Sequence, residues 1–356
     1  MAIGLDDVVA AETALSHVDG EAGRLILRGR DLEAVAGRMS YEAAVALLWA
    51  DLVPQSGGDL ARAIGRDRVR AHRLMAPLFG SLQGLAPVEG MRLLLAALPD
   101  REPDHPTLAV GAAAVAAAAA MRAAQGLPVP APDPDLSHAA DLLRMTLGTS
   151  PDATEARALE TYLVTVLDHG LNASTFAARV VASTAAGLLS AAVAGLCALK
   201  GPLHGGAPGP VLDMLDAIGT SERAPAWLDA AIARGERLMG FGHRVYRVRD
   251  PRADVLKAAV ARLKGRDNRV ALAEAAEAAA LAALARHKPG RRLDTNVEFY
   301  TALLLEALGI PRAGFTPVFA VGRMAGWVAH AVEQERAGRI IRPQSRYVGP
   351  WPAEAA

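Results

Sequence analysis

The sequence predicts an all-α fold, and three observations carry that prediction. Nine segments repeat apolar residues or alanine at helical spacing. One short stretch alone, residues 23–28 (GRLILR), reads as a strand, in an early hairpin bounded by Asp19-Gly20 and Gly29. Aromatic residues are only 4% while hydrophobic residues reach 52%, so a sizeable core is built mainly from small aliphatic side chains. In chain order, the pattern predicts helices over 41–50, 90–97, 108–124, 154–167, 174–199, 224–233, 253–263, 269–286 and 296–308. The first has Ser40 as its start signal, the fifth has Ser174, and Asp250-Pro251 opens the seventh. Residues 108–121 and 184–203 are apolar, but the first is too short and the second too rich in Ala, Gly and polar interruptions for a bilayer helix, so both read as buried helices. The proline-rich stretch GLPVPAPDPD, 126–135, reads as a surface excursion between helices. No repeat of fixed period is visible.

The length of 356 residues allows two domains or one large one. Lys+Arg and Asp+Glu both number 38, which argues against a general nucleic-acid or membrane-surface binder. The one cysteine, Cys197, lies in an apolar run and reads as a small core residue. It permits no intrachain disulfide and fits a reducing compartment. The beginning of the chain, MAIGLDDVV, shows no secretory signal, and a cytoplasmic location is expected.

Four clusters carry chemistry. DHGLNAS (168–174) holds His169, GPLHGG (201–206) holds His204, and GFGHRVYRVRDPR (240–252) holds His243, Arg244, Arg247, Arg249 and Arg252. The fourth is NVEFY (296–300) with Glu298, followed by Arg323 in FAVGRMAGW and Arg342 in RIIRPQSRY. Arginine grips carboxylates bidentately and keeps its charge. Imidazole donates a hydrogen bond or a proton to a carbonyl. A carboxylate of suitable pKa removes a carbon-bound proton. Together these groups suit deprotonation beside a carbonyl, with a di- or tricarboxylic acid as second substrate. An isolated Asp-Pro-Arg is also an ordinary helix start, and His243 alone an ordinary loop histidine. Arg323 on an apolar helix is harder to explain without a partner. No HxxxH or HExxH spacing occurs, so no metal site is expected, and GFGHRV lacks the third glycine of a nucleotide loop.

GPLHGG, GFGHRVYRVRDPR, NVEFY, FAVGRMAGWVAH, IRPQSRYVGP and the opening segment GLDDVVAAETALSHVDGEAGRLILRG together resemble the citrate synthase family, including its 2-methylcitrate synthase members, across essentially the whole chain. The resemblance implies a citrate synthase-like fold with the site in a cleft between two helical domains. The large, dimer-forming domain would comprise residues 1–207 and 313–356, and the small, closing domain 208–312. It implies condensation of acetyl-CoA, or a close acyl-CoA, with oxaloacetate, giving citrate or an alkylcitrate and CoA. No permanently bound cofactor is implied, and CoA enters as part of a co-substrate. It assigns His204, His243 and Glu298 to catalysis. It assigns His169, Arg252, Arg323 and the partner subunit's Arg342 to the dicarboxylate, and Arg247 to CoA phosphates. A homodimer or higher oligomer is implied, with no nucleic acid or membrane partner.

The chain departs from the family pattern around the site. Glu298 replaces an aspartate and is one methylene longer; Gly170 stands where a carboxylate often follows the histidine; Pro208 replaces an asparagine; Val166 replaces a histidine found in many bacterial members. Two function classes therefore stay open: a working synthase, slower or retuned, and a non-catalytic relative that binds polycarboxylate or CoA as a sensor or partner subunit.

Overall fold

The computed structural model describes residues 8–53, 59–100, 106–205, 208–243, 245–263, 269–290 and 293–351. Residues 1–7 of the opening segment, Gly206 and Ala207 beside the expected domain boundary, and Arg244 lie outside the described residues. The fold is helical. A small antiparallel sheet comes first: β1 (Ser16–Asp19), β2 (Arg24–Leu27) and β3 (Arg30–Asp31), with Ser16 opposite Leu27 and Asp19 opposite Arg24. Fifteen α-helices follow among the described residues. They are α1 (Leu32–Val35), α2 (Tyr41–Trp49), α3 (Leu60–Met75), α4 (Pro87–Ala96), α5 (Pro106–Ala124), α6 (His138–Leu147), α7 (Ala153–Thr165), α8 (Ala173–Ala182), α9 (Leu188–Leu199), α10 (Pro208–Ile218), α11 (Ala224–Ala233), α12 (Pro251–Arg262), α13 (Val270–His287), α14 (Val297–Ala307) and α15 (Phe315–Ala337).

Two central helices organise the larger part. α5 is an alanine helix buried along nearly its whole length, and it packs on α3, α4, α6 and α15. Alanine costs little side-chain entropy in a helix and lets neighbours approach closely. It is long and apolar enough to cross a membrane by composition, but those residues face protein, not lipid. α15 threads between α5, α7, α8 and α9, with Trp327 fully buried. A second group, α10 to α14, packs mainly on itself through α11 with α13, α12 with α14 and α10 with α14. α7 touches both α12 and α14, and so joins the two groups.

The expected helices appear with ends shifted by a few residues, with one exception. The apolar run 174–199 is not one helix. It breaks into α8 and α9, because Ala185 (φ +58°) and Gly187 (φ +103°) leave helical backbone. The start signal there is Asn172, not Ser174: its side chain accepts from both Ser174 N and Thr175 N. Cys197 is exposed on α9 and is not a core residue. Ser40 caps α2 and Asp250 caps α12 as expected. The proline-rich excursion is pinned from inside: Arg68 binds the carbonyls of Asp133 and Leu136, and Arg122 that of Pro128.

Candidate active site

The His243 loop is strapped onto the start of α14. Gly242 N–H donates to Asp294 O (2.8 Å), Asn296 N–H donates to Gly240 O (2.9 Å), and Asn296 Nδ2 donates to Gly242 O (2.7 Å). Gly240 and Gly242 sit at φ +86° and +77°, a region that side chains strain to enter, which lets the chain turn this tightly beside Phe299 and Leu293. Asn296 Oδ1 caps α14 by accepting from Glu298 N (3.0 Å). Asp250 does double duty. It caps α12 through Arg252 N, and its Oδ2 also accepts Val297 N–H at the start of α14 (3.0 Å). The starts of α12 and α14 are thus held together by one carboxylate, and Arg252 and Glu298 are brought into one neighbourhood.

Within it, Arg252 is buried and makes a bidentate pair with Asp250, Nε to Oδ1 at 3.0 Å and Nη2 to Oδ2 at 2.9 Å. Burial works against its charge, but Asp250 outweighs that and leaves its pKa raised. His243 Nδ1 accepts from Val245 N–H (3.0 Å) and Tyr246 N–H (3.1 Å). The neutral ring must therefore carry its proton on Nε2. That nitrogen stands 3.1 Å from Arg252 Nη2, so two donors converge with no acceptor between them. Such a pair suits an incoming oxygen. His169 lies against the same loop, its ring 5.7 Å from that of His243 and its Nε2 3.2 Å from Tyr246 Oη.

His204 comes from the other side. Its loop is tied down by His204 N–H to Gly201 O (2.9 Å) and Thr316 Oγ1–H to Gly205 O (3.0 Å). Its Nε2 stands 2.9 Å from Ser174 Oγ, which also accepts from Trp327 Nε1–H (3.2 Å). Ser174 Oγ–H has two acceptors in reach, Asn172 Oδ1 (2.8 Å) and His204 Nε2. Turned to His204, the hydroxyl leaves the proton of the neutral ring on Nδ1.

Arg323 is the electrostatic hub. It is 1% exposed, its Nε donates to Val166 O (2.6 Å), its guanidinium lies over Phe319, and its Nη1 has no hydrogen-bond partner. Burial lowers its pKa to about 10. Its charge acts on His204, His169 and Glu298. Burial, helped by this arginine, lowers His204 to about 4. Burial and Arg252 lower His243 to about 4, and His169 falls well below its usual range by burial with Arg252 and Arg323. All three imidazoles are neutral at neutral pH. Burial raises Glu298 to about 7, with Arg252 and Arg323 opposing and Asp250 reinforcing. A carboxyl poised near neutrality can take a proton from a weak acid at working pH.

The chain is similar to known proteins along nearly its whole length. A family model described as citrate synthase, C-terminal domain, matches residues 4–344. The chain is 38% identical over 355 residues to a protein of Mycobacterium tuberculosis called putative citrate synthase 2, covering 98% of this chain and 93% of that one. The chain belongs to the citrate synthase family. It is also 36% identical over 366 residues to a 2-methylcitrate synthase of the same organism, covering 97% of this chain and 90% of that one. Its fold is similar, at a TM-score of 0.85 and 32% identity, to the citrate synthase structure from Thermotoga maritima, covering 99% and 97% of the two chains.

In this family member, the cluster holds His204, His243, His169, Arg252, Arg323 and Glu298. Arg247 and Arg342 stand apart: both are exposed, the first on the His243 loop and the second on the segment after α15. Among the described residues no group of three His, Cys, Asp or Glu side chains could hold a metal ion. Sequence reasoning missed Ser174, Tyr246, Asp250, Asp168 and Ser16 as site-building residues. Asp168 and Ser174 lay inside DHGLNAS, and Tyr246 and Asp250 inside GFGHRVYRVRDPR. Ser16, in a hairpin more than 150 positions from His169, gave no local signal.

Proposed function

We propose that this cluster joins an acyl-CoA to oxaloacetate and releases CoA, with the side chains acting as follows. Glu298 removes a proton from the carbon beside the thioester. His204 Nδ1–H stabilises the developing enolate oxygen, and as a neutral donor it delivers a hydrogen bond without adding a charge that burial would penalise. His243 Nε2–H and Arg252 face the keto oxygen and a carboxylate of oxaloacetate, and His169 and Arg323 the remaining carboxylate oxygens. The enolate carbon then attacks the polarised keto carbon, and water cleaves the thioester. The observation that carries this reading is the convergence of three neutral imidazoles, two buried guanidiniums and one carboxyl near neutral pKa, drawn from five distant stretches of chain.

The relatives' names support the reaction class. The matched structure from Thermoplasma acidophilum, at a TM-score of 0.87 and 28% identity, is a citrate synthase holding carboxymethyl coenzyme A and oxaloacetate. We also read residues 1–207 with 313–356 as the large domain and 208–312 as the small one. The internal packing of α10 to α14, with α7 as their main neighbour outside, supports that division. A homodimer is favoured by the exposed segment after α15, which carries Arg342 and the exposed apolar residues Ile340, Val348 and Trp351. The zero net charge and lone cysteine fit work in the cytoplasm.

The test is CoA release from the purified protein given oxaloacetate and a panel of acyl-CoAs. Release with acetyl-, propionyl- or a longer acyl-CoA supports the condensation and names the donor. Tight binding of both ligands with no release from any donor would instead identify the non-catalytic relative.

A further inference from the structure

The N-terminal hairpin touches both loops that present the oxaloacetate-facing histidines. At one end of β1, Ser16 Oγ–H donates to Asp168 Oδ2 (2.5 Å), and the same oxygen accepts Gly170 N–H (2.9 Å). These are the two residues flanking His169, so one hydroxyl brackets that histidine's backbone. Asp168 is held from behind. His330 Nδ1 accepts from Arg179 Nε–H (3.0 Å), which places the His330 proton on Nε2, 3.2 Å from each Asp168 oxygen. Arg179 is itself fixed by Gln334 and Glu333. Asp168, His330 and Arg179 are all buried.

At the other end, just beyond β1, Gly20 O accepts Arg247 N–H (2.8 Å). The approach is so close that a Cβ on Gly20 would lie 2.3 Å from Val245 O. Val245 N and Tyr246 N are the groups that fix the His243 ring. Ser16 and Gly20 are four residues apart, roughly 13 Å along an extended strand. That strand is laddered to β2 and anchored by buried Leu15, Leu25 and Leu27. It is a short, rigid spacer between the two histidine loops.

We infer that the β1–β2 hairpin is a positioning clasp for the dicarboxylate subsite: Ser16 sets His169, Gly20 sets the His243 loop, and the strand between them fixes their separation. Neither residue touches substrate. The inference rests on the condensation reading, which makes these two histidines the oxaloacetate ligands.

The variants are Ser16→Ala, Ser16→Thr and Gly20→Ala, compared with the unaltered protein by oxaloacetate titration calorimetry, by KM for each substrate, and by thermal melting. Ser16→Ala frees the backbone on both sides of His169 and is expected to weaken oxaloacetate binding about tenfold. Gly20→Ala is expected to do the same. In the Ser16 variants the acyl-CoA KM should stay within about twofold, and Ser16→Thr, which keeps the hydroxyl, should restore oxaloacetate affinity. A purely structural hairpin would lower the melting temperature and leave oxaloacetate affinity unchanged, or would raise both KM values together. Either result, or a Thr variant no better than Ala, overturns the clasp while the condensation stands. An unaltered protein that binds no oxaloacetate overturns the condensation and the clasp together, and one that binds it without turnover still decides the clasp through the calorimetry.

Discussion

Arg68 and Arg323 are buried almost equally, at 0% and 1% exposure, yet their surroundings differ in one respect that separates structure from function. Arg68 spends every nitrogen on the protein. Its Nε binds Asp141 (2.7 Å), its Nη2 binds the carbonyls of Asp133 (2.9 Å) and Leu136 (2.7 Å), and its Nη1 stands 3.5 Å from His138 Nδ1. Asp141 is further held by Arg144. Arg323 has one protein acceptor, Val166 O, and an Nη1 with none. An unsatisfied buried donor costs about 1–3 kcal/mol, a cost that a bound carboxylate would relieve. The Arg68 network spends its guanidinium on the protein; Arg323 keeps a charged donor free for an anion.

The sharpest way to break this contrast is Arg68→Ala. It takes away one of the two arginines on buried Asp141 and leaves the Asp133 and Leu136 carbonyls without their donor, and breaking such a buried charged network costs on the order of 3 kcal/mol. Urea unfolding should show that loss, while the specific activity of the folded fraction stays near that of the unaltered protein. A stable Arg68→Ala with impaired turnover would reverse the two roles.

Glu298→Asp probes how finely the open cluster is set. The shorter acid withdraws by on the order of 1 Å from the facing cations and the substrate carbon, and kcat is expected to fall about a hundredfold with oxaloacetate KM little changed. A rise in kcat would show that the extra methylene is a defect, and no change would remove Glu298 as the base.

Arg323→Met comes next. Replacing an under-partnered guanidinium by an apolar chain of similar reach should leave the melting temperature unchanged or higher. Oxaloacetate affinity should drop by roughly ten- to a hundredfold, the worth of charge-assisted hydrogen bonds to a carboxylate. By the same logic, oxaloacetate at a hundred times its Kd should stabilise the unaltered protein by about 2.7 kcal/mol, and Arg323→Met should forfeit most of that gain.

How legible was the site? Residues whose role is written in local pattern were readable: Asp250 as a cap before a proline, the glycines around His243, and the charge of Arg323 within an apolar helix. The break between α8 and α9 was not readable from composition, because an apolar Ala/Gly run satisfies a helix and a tight turn equally well and only the backbone at Ala185 and Gly187 decides. The long helix α3 escaped the pattern reading, with five arginines among its sixteen residues, and α15 was legible only as an apolar helix around Arg323, because burial on so many sides leaves it no polar face to mark its ends. Ser16 and His330 were invisible because their meaning is a contact across 152 and 162 positions of chain. The electrostatics of Glu298 were equally hidden. An acid at the start of a helix is ordinary, and only its burial, reinforced by Asp250, lifts this one toward neutrality.

That burial gives the smallest of the expected effects and the most diagnostic. Glu298 is held at about 7, above the usual 4.5. Only its ionised form can take the proton, so kcat/KM should rise with pH and level off near pH 7, falling about tenfold for each unit below. His204 and His243, both held at about 4, stay neutral above pH 5 and add no bend there. The same shift sets the sign for stability. Between 4.5 and 7 the folded state binds a proton that the unfolded state has released, so the contribution of Glu298 to stability is full below that window and lost as pH rises through 7. Glu298→Gln, which cannot ionise, should therefore gain stability relative to the unaltered protein on going from pH 5 to pH 8. An acid limb centred near 4.5, with no such divergence in melting, would mean that the carboxyl is solvated like a surface group and that the open cluster does not enclose it.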